Sequence, residues 1–200
     1  KSMKYNPLAY VEKEEDILKL VETIIANTSG NNNQNADLWV KAEKLLYQSY
    51  LSLIINKFPK EEQHLGTLID LISYSTVKED DDNYKNAVDY LFDELEKEDS
   101  ESFAVKQYKA YKLAAGKTAK SILISCATRL APLNIPAVRN LLKEDELNLR
   151  TLGDKGRKTA LFVIVPDTDA TFNFIVSIMY SQLFNMLCTI ADEKYRGELP

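Results

Sequence analysis

From Ala170 to Ala191 the chain carries no charged side chain, and a run of that length has to cross a membrane or pack inside a protein. Its composition favours packing. Asn173, Ser177, Ser181, Gln182 and Asn185 are costly or unhelpful in lipid. Just ahead of the run, Thr159-Ala-Leu-Phe-Val-Ile-Val-Pro166 reads as a β-branched, apolar strand of the kind buried on both faces of a parallel sheet. Asp167-Thr168-Asp169 then caps a helix from Ala170 to about Lys194. A single strand makes no sheet, so its neighbours must come from the start of this chain or from other sequence.

Up to about residue 152 the hydrophobic period is helical throughout. Ile17, Leu18, Val21, Ile24 and Ile25 mark one face of a helix over 12–28. An Asn- and Gln-rich loop through Asn35 follows it. Ala36 to Phe58 is a long helix with a stripe of Leu38, Trp39, Ala42, Leu45, Leu46, Tyr50, Leu53 and Ile54, stopped by Pro59. Trp39 is expected to anchor the core. Leu65, Leu68, Ile69 and Ile72 repeat the pattern over 61–74. Asp80-Asp81-Asp82-Asn83 is expected to cap a helix bearing Ala87, Val88, Leu91, Phe92 and Leu95. Phe103 to Ala131 is the longest helical candidate, ended by Pro132 and Pro136, with a short helix over 138–142 beyond it. The fold class is therefore mainly α, a helical bundle followed by one strand-helix unit.

With 200 residues, 45% hydrophobic, the chain is globular and can bury a core without staples. It opens at Lys1 without an initiating Met or a leader, which reads as a fragment or processed product. Cys126 and Cys188 sit in apolar runs and read as buried, reduced thiols in a cytosolic setting. One histidine, His64, in a polar helical turn, is too little for a zinc site or a Ser-His-Asp hydrolase. No pair of carboxylates stands among apolar residues as a general acid and base, and no complete active site is visible.

The net charge of −5 is spread unevenly: residues 79–101 hold 11 acidic and two basic side chains, whereas 102–200 hold 14 basic and nine acidic. Nucleic-acid binding therefore stays open despite the low pI. On one continuous helix, Lys106, Lys109, Lys117 and Lys120 fall within an arc of roughly 80°, with Lys112 to one side. Tyr108 and Tyr111 lie nearby to stack on unpaired bases, as in single-strand binders without sequence preference. A solvated helix face is the competing reading, and the acidic neighbour 79–101 could neutralise these lysines within the chain. Asp80, Asp81, Asp82 and Glu94 mark that neighbour as a candidate surface for a basic protein partner. Ala115-Gly116-Lys117-Thr118 ends like a phosphate-binding loop, but Tyr111 stands where that loop needs glycine and a helix precedes it instead of a strand, so a tolerated glycine in a helix interior is expected.

Tyr5-Asn6-Pro7-Leu8, Ala36-Asp-Leu-Trp-Val-Lys-Ala-Glu43, Gly116-Lys-Thr-Ala-Lys-Ser-Ile-Leu123, Thr159-Ala-Leu-Phe-Val-Ile-Val-Pro-Asp167, Thr171-Phe-Asn-Phe174 and Tyr180-Ser-Gln-Leu-Phe184 together resemble the TraG-like type IV secretion coupling proteins, in an order that spans almost the whole chain. The resemblance implies a membrane-anchored, hexameric, FtsK-like ATPase at the cytoplasmic face of the membrane, which delivers relaxase-bound DNA to a conjugative secretion channel. It implies that residues 9–152 are the all-helical domain inserted into a RecA-like α/β motor domain, and that 1–8 and 153–200 are flanking pieces of that motor. The phosphate-loop and Asp-Glu strand motifs of the family are absent, so ATP and magnesium are implied for the intact parent, with no cofactor, metal or ATPase activity in this chain. The implied role is cargo recognition. DNA, single-stranded and without sequence preference, would meet Lys106, Lys109, Lys117, Lys120 and Tyr108. The alternative is a docking module for relaxase or accessory proteins with no DNA contact. Secretion-channel proteins are further implied partners.

Overall fold

A computed structural model of the chain describes residues 2–28, 36–78, 80–81, 84–114, 116–156, 158–165, 167 and 170–199, without the side chains of 36–38. Its α-helices are α1 (Glu14–Thr28), α2 (Ala36–Lys57), α3 (Leu65–Tyr74), α4 (Ala87–Glu98), α5 (Phe103–Lys112), α6 (Gly116–Arg129), α7 (Pro136–Leu141) and α8 (Asn173–Tyr195). There is no strand among the described residues, and the fold is a mainly α bundle.

The axis of the bundle is α2, which packs on α1, α3, α5 and α6. Leu46, Tyr47, Tyr50, Leu51 and Ile54 of α2 are wholly inaccessible to solvent. Burial begins at Glu43, so Trp39, one turn earlier, is 37% exposed and does not anchor the core. Leu18 of α1 likewise turns outward, while Ile17, Leu20, Val21, Ile24 and Ile25 are buried. Across the core, Glu43 is buried against Arg129 of α6, whose Nε donates to Glu43 Oε2 at 2.7 Å. The hydroxyl of Ser125 donates to the other carboxylate oxygen, and Arg129 Nη1 donates to Thr28 at 3.1 Å. One polar cluster thus ties α1, α2 and α6 together.

Local chemistry sets the helix starts. His64 caps α3 by accepting from the Thr67 N–H at 3.3 Å, and a Cβ on residue 66 would stand 2.9 Å from the His64 ring, which explains glycine there. The cap of α4 is Asn86, not the aspartates before it. Asn86 Oδ1 accepts from the Val88 and Asp89 N–H groups, and Asp89 accepts from the Asn86 N–H, a reciprocal capping box. Asp82 and Asn83 lie outside the described residues.

The helix expected over 103–131 is two helices. At the end of α5 the Leu113 and Ala114 N–H groups bond three residues back, to Ala110 and Tyr111, a tightening that ends an α-helix. Gly116 then takes φ +53°, which glycine adopts without the usual Cβ penalty. Gly116 therefore opens α6 and is not a helix-interior residue.

The Tyr5-Asn6-Pro7-Leu8 segment clasps distant parts of the chain. The Tyr5 N–H bonds to the Leu141 carbonyl at 2.9 Å, and the Glu146 N–H to the Lys4 carbonyl at 2.9 Å. Asn6 Nδ2 reaches the Gln63 carbonyl at 2.8 Å. Gln182 of α8 accepts from the Tyr5 hydroxyl and donates to the Pro7 carbonyl. The rest of α8 packs on α1 and on the 3-10 turn Leu149–Gly153. Among the described residues α8 alone is long and apolar enough to cross a membrane. Its buried residues are Phe174, Ile175, Ile178, Met179, Leu183 and Ala191, while Tyr180 and Phe184 stack on each other in the open. Cys126 is buried as expected, but Cys188 on α8 is exposed.

The strand expected over 159–166 is not formed at 159–165, since a strand exists only through a ladder with a neighbour and no described segment supplies one. Leu161 and Val163 lean on the core while Phe162 and Ile164 are 86% and 94% exposed. Pro166, Thr168 and Asp169 lie outside the described residues, and the helix starts at Asn173.

Candidate functional site

The α4–α5 hairpin carries most of the residues that the sequence nominates. Phe92 and Leu95 of α4 and Ala104, Val105, Tyr108 and Tyr111 of α5 are buried toward α2, which leaves the remaining faces to charge. Those charges meet each other. Lys106 pairs with Glu101 at 2.8 Å, Lys109 with Glu96 at 2.5 Å and Lys112 with Asp89 at 2.9 Å. Lys106 holds the Glu101 carboxyl below its usual value. Burial alone would raise the Asp89 carboxyl, but hydrogen bonds from Lys112, the Asn86 N–H and Tyr108 outweigh it and hold that pKa low.

The structure departs from the arrangement expected of the DNA face in three ways. Lys106 and Lys109 lie on α5 and Lys117 and Lys120 on α6, so the division into two helices removes the common helical face on which the arc depended. All three lysines of α5 sit in ion pairs with acidic neighbours. Tyr108 is 6% exposed, its ring 3.8 Å from that of Phe92 and its hydroxyl donating to Asp89 at 2.8 Å, so it offers no platform to a base. Tyr111 is buried too. Lys117 and Lys120 remain exposed on α6.

Beside this hairpin lies a cleft of about 80 Å³, lined among others by Tyr50, Thr76, Tyr84, Tyr108, Tyr111 and Lys112. It has room for a few waters and none for a nucleoside. Burial pushes the Tyr50, Tyr108 and Tyr111 hydroxyls far up, so they stay protonated and act as hydrogen-bonding groups, not as bases. Asp81 borders this cleft. Glu94 does not: it lines a groove of about 360 Å³ between α4 and the end of α2. Of the four acids nominated for a partner, Asp80 and Asp81 are exposed before α4, Glu94 is at the groove, and Asp82 lies outside the described residues. Sequence reasoning missed the groove because its floor combines Leu53, Phe58 and Pro59 with Leu91 and Leu95, residues that only the packing of α4 on α2 brings together.

Among the described residues the Gly116-Lys117-Thr118 segment does not have the setting of a phosphate loop. Gly116-Lys117-Thr118 begins a helix, but the chain reaches it from α5 through residues 113–115, and the buried Tyr111 occupies the position a phosphate loop gives to its first glycine. No group of three His, Cys, Asp or Glu side chains that could hold a metal ion occurs among the described residues.

No curated protein and no solved structure matches the chain significantly. The family model for type IV secretory system conjugative DNA transfer matches residues 1–198. That span covers the clasp, the bundle and α8 alike, and the chain therefore belongs to the type IV secretory system conjugative DNA transfer family.

Proposed function

We propose that this chain is a cargo-docking domain of a TraG-like coupling protein, and that the cargo it reads is protein, relaxase or an accessory factor, not DNA. The observation that carries the reading is the pairing of Lys106, Lys109 and Lys112 with Glu101, Glu96 and Asp89. A cation already held by a carboxylate releases fewer counterions from DNA and adds little to phosphate affinity. Acids clustered across 79–101 repel a polyanion and attract a basic protein. In this reading residues 9–152 form the docking domain, and 1–8 with 153–200 belong to an FtsK-like motor. ATP and magnesium bind that motor in other sequence, and the intact protein is a hexamer anchored in the membrane, with this domain on the cytoplasmic face near the secretion channel. The exposed Phe162 and Ile164 and the open face of α8 supply apolar surface for such a motor to cover.

Two titrations test the reading. In the first, labelled single- and double-stranded oligonucleotides are titrated with the chain at several salt concentrations and followed by anisotropy. Little binding and a shallow salt slope are expected, and tight binding that collapses with salt would return DNA to this domain. In the second, capture of the relaxase encoded with this protein is expected, and its absence with DNA also unbound would reduce the chain to a force-transmitting part of the motor.

A further inference from the structure

The groove between α2 and α4 has a specific chemistry. Its floor is apolar, from Leu53, Phe58, Pro59, Leu91 and Leu95, and its rim is acidic, from Glu62, Glu94 and Glu98. Among the described residues Lys57 is the one basic side chain that lines the groove, and it is engaged with Glu98, while Lys60 in the adjoining turn donates to Gln63 at 3.0 Å, so the rim is negative overall. Leu91 is 37% exposed although it sits on a helix whose Val88, Phe92 and Leu95 are buried, so the floor is open to a ligand. The floor is framed on one side by Pro59 and the 3-10 turn Lys60–Glu62 and on the other by the regular helix α4, which is held at its start by the Asn86–Asp89 capping box. Both walls are thereby preformed. A volume of about 360 Å³ falls in the range of binding clefts.

We propose that this groove seats a short amphipathic segment of a partner protein, with aliphatic side chains on the face that enters and Lys or Arg on the flanks. The proposal rests on the protein-docking reading above and gives it a place. Charge complementarity selects this occupant: a nucleic acid meets three carboxylates and an apolar floor that offers no donor to phosphate, and an acidic helix meets the same repulsion. An amphipathic helix laid into an apolar groove contributes anchors one turn apart, and the flanking cations pair with the rim and guide the approach.

The test uses the full chain and a fluorescein-labelled peptide with Leu at i, i+3, i+4 and i+7 and Lys at the other positions. The same peptide with Glu in place of Lys, and one with Ser in place of Leu, are the controls. The Leu/Lys peptide is expected to bind and both controls to bind at least about tenfold more weakly. Leu91→Asn removes floor without changing charge, and Glu62→Lys/Glu94→Lys reverses the rim without touching the floor; each is expected to weaken the Leu/Lys peptide by about tenfold. Equal binding by the Leu/Glu peptide, or affinity unchanged in both variants, overturns the proposal. Relaxase capture that survives both variants overturns the groove and leaves the docking reading intact, whereas relaxase capture absent from the unaltered chain overturns the docking reading first.

Discussion

Helices α2 and α8 are nearly the same length, 22 and 23 residues, yet they obey opposite rules. α2 carries Lys41, Glu43, Lys44 and Lys57, and among the described residues holds more wholly inaccessible side chains than any other helix. α8 is free of charge until Asp192, and shows solvent Tyr180, Phe184 and Cys188. Burial is decided by how many neighbours a helix has: among the described residues α2 packs on α1, α3, α4, α5 and α6, where α8 packs chiefly on α1 and two 3-10 turns. A buried charge is tolerated when it is matched, as Glu43 is by Arg129 and Ser125. An exposed apolar face is a surface waiting for cover, and with Phe162 and Ile164 it lies in the part of the chain where strand formation also failed for want of a neighbour.

The largest effect should come from breaking the matched charge. Glu43→Ala takes the matching carboxylate from the largely buried Arg129 and should cost about 3–5 kcal/mol in urea unfolding followed by circular dichroism, while Glu43→Leu/Arg129→Met should cost clearly less. If the single variant unfolds like the parent, the cluster is not what holds α6 to α2. Ile54→Ala in α2 should cost about 2–5 kcal/mol, as expected for a cavity in a fully packed site.

Asp89→Asn should cost about 1.5–3 kcal/mol near neutral pH, because Lys112 and Tyr108 then face an uncharged amide. The sign with pH follows from the lowered carboxyl. The unfolded chain takes up the proton first, so the advantage of the parent over Asp89→Asn is complete above a pH of about 3.9 and disappears as pH falls through the lower folded value. A constant difference down to pH 2 would deny the Lys112–Asp89 pair its role.

A smaller effect belongs to His64, whose pKa is lowered, first by burial and then by the nearby Lys143. The neutral ring is the acceptor that caps α3, so its stabilisation is complete above about pH 6.5 and is lost as pH falls below that value. His64→Asn keeps an acceptor and should flatten this part of the stability profile. The smallest effect should be Phe184→Ala on α8, within about 0.5 kcal/mol. A loss as large as that of Ile54→Ala would erase the contrast between the two helices.

Much of the bundle is legible in the sequence because helical periodicity is a local property. Ile17, Val21 and Ile24 on α1, Leu46, Tyr50 and Ile54 on α2 and Leu65, Leu68 and Ile72 on α3 are all buried as their spacing requires. Proline at 59 and at 136 also acts locally and is found after α2 and at the first position of α7. The candidate site was far less legible. The lysine arc assumed one helix through 113–115, and that assumption fails on hydrogen bonds three residues apart and a positive φ at Gly116, neither of which hydropathy registers. The acidic stretch was visible, and so was the chance that it neutralises the lysines. Which acid meets which lysine required the hairpin.

The sequence by itself determined the helical class, the separation of charge between 79–101 and the rest, and the ordered motifs that place the chain in a conjugative DNA transfer family, because period, composition and motif order are properties of the chain read along its length. Only the tertiary structure decided that Tyr108 belongs to the core, that the α5 lysines are held by carboxylates and that Leu53, Phe58 and Leu91 share a groove with Glu62 and Glu94. These are distances between residues far apart in the chain, and such distances are set by which helix packs on which.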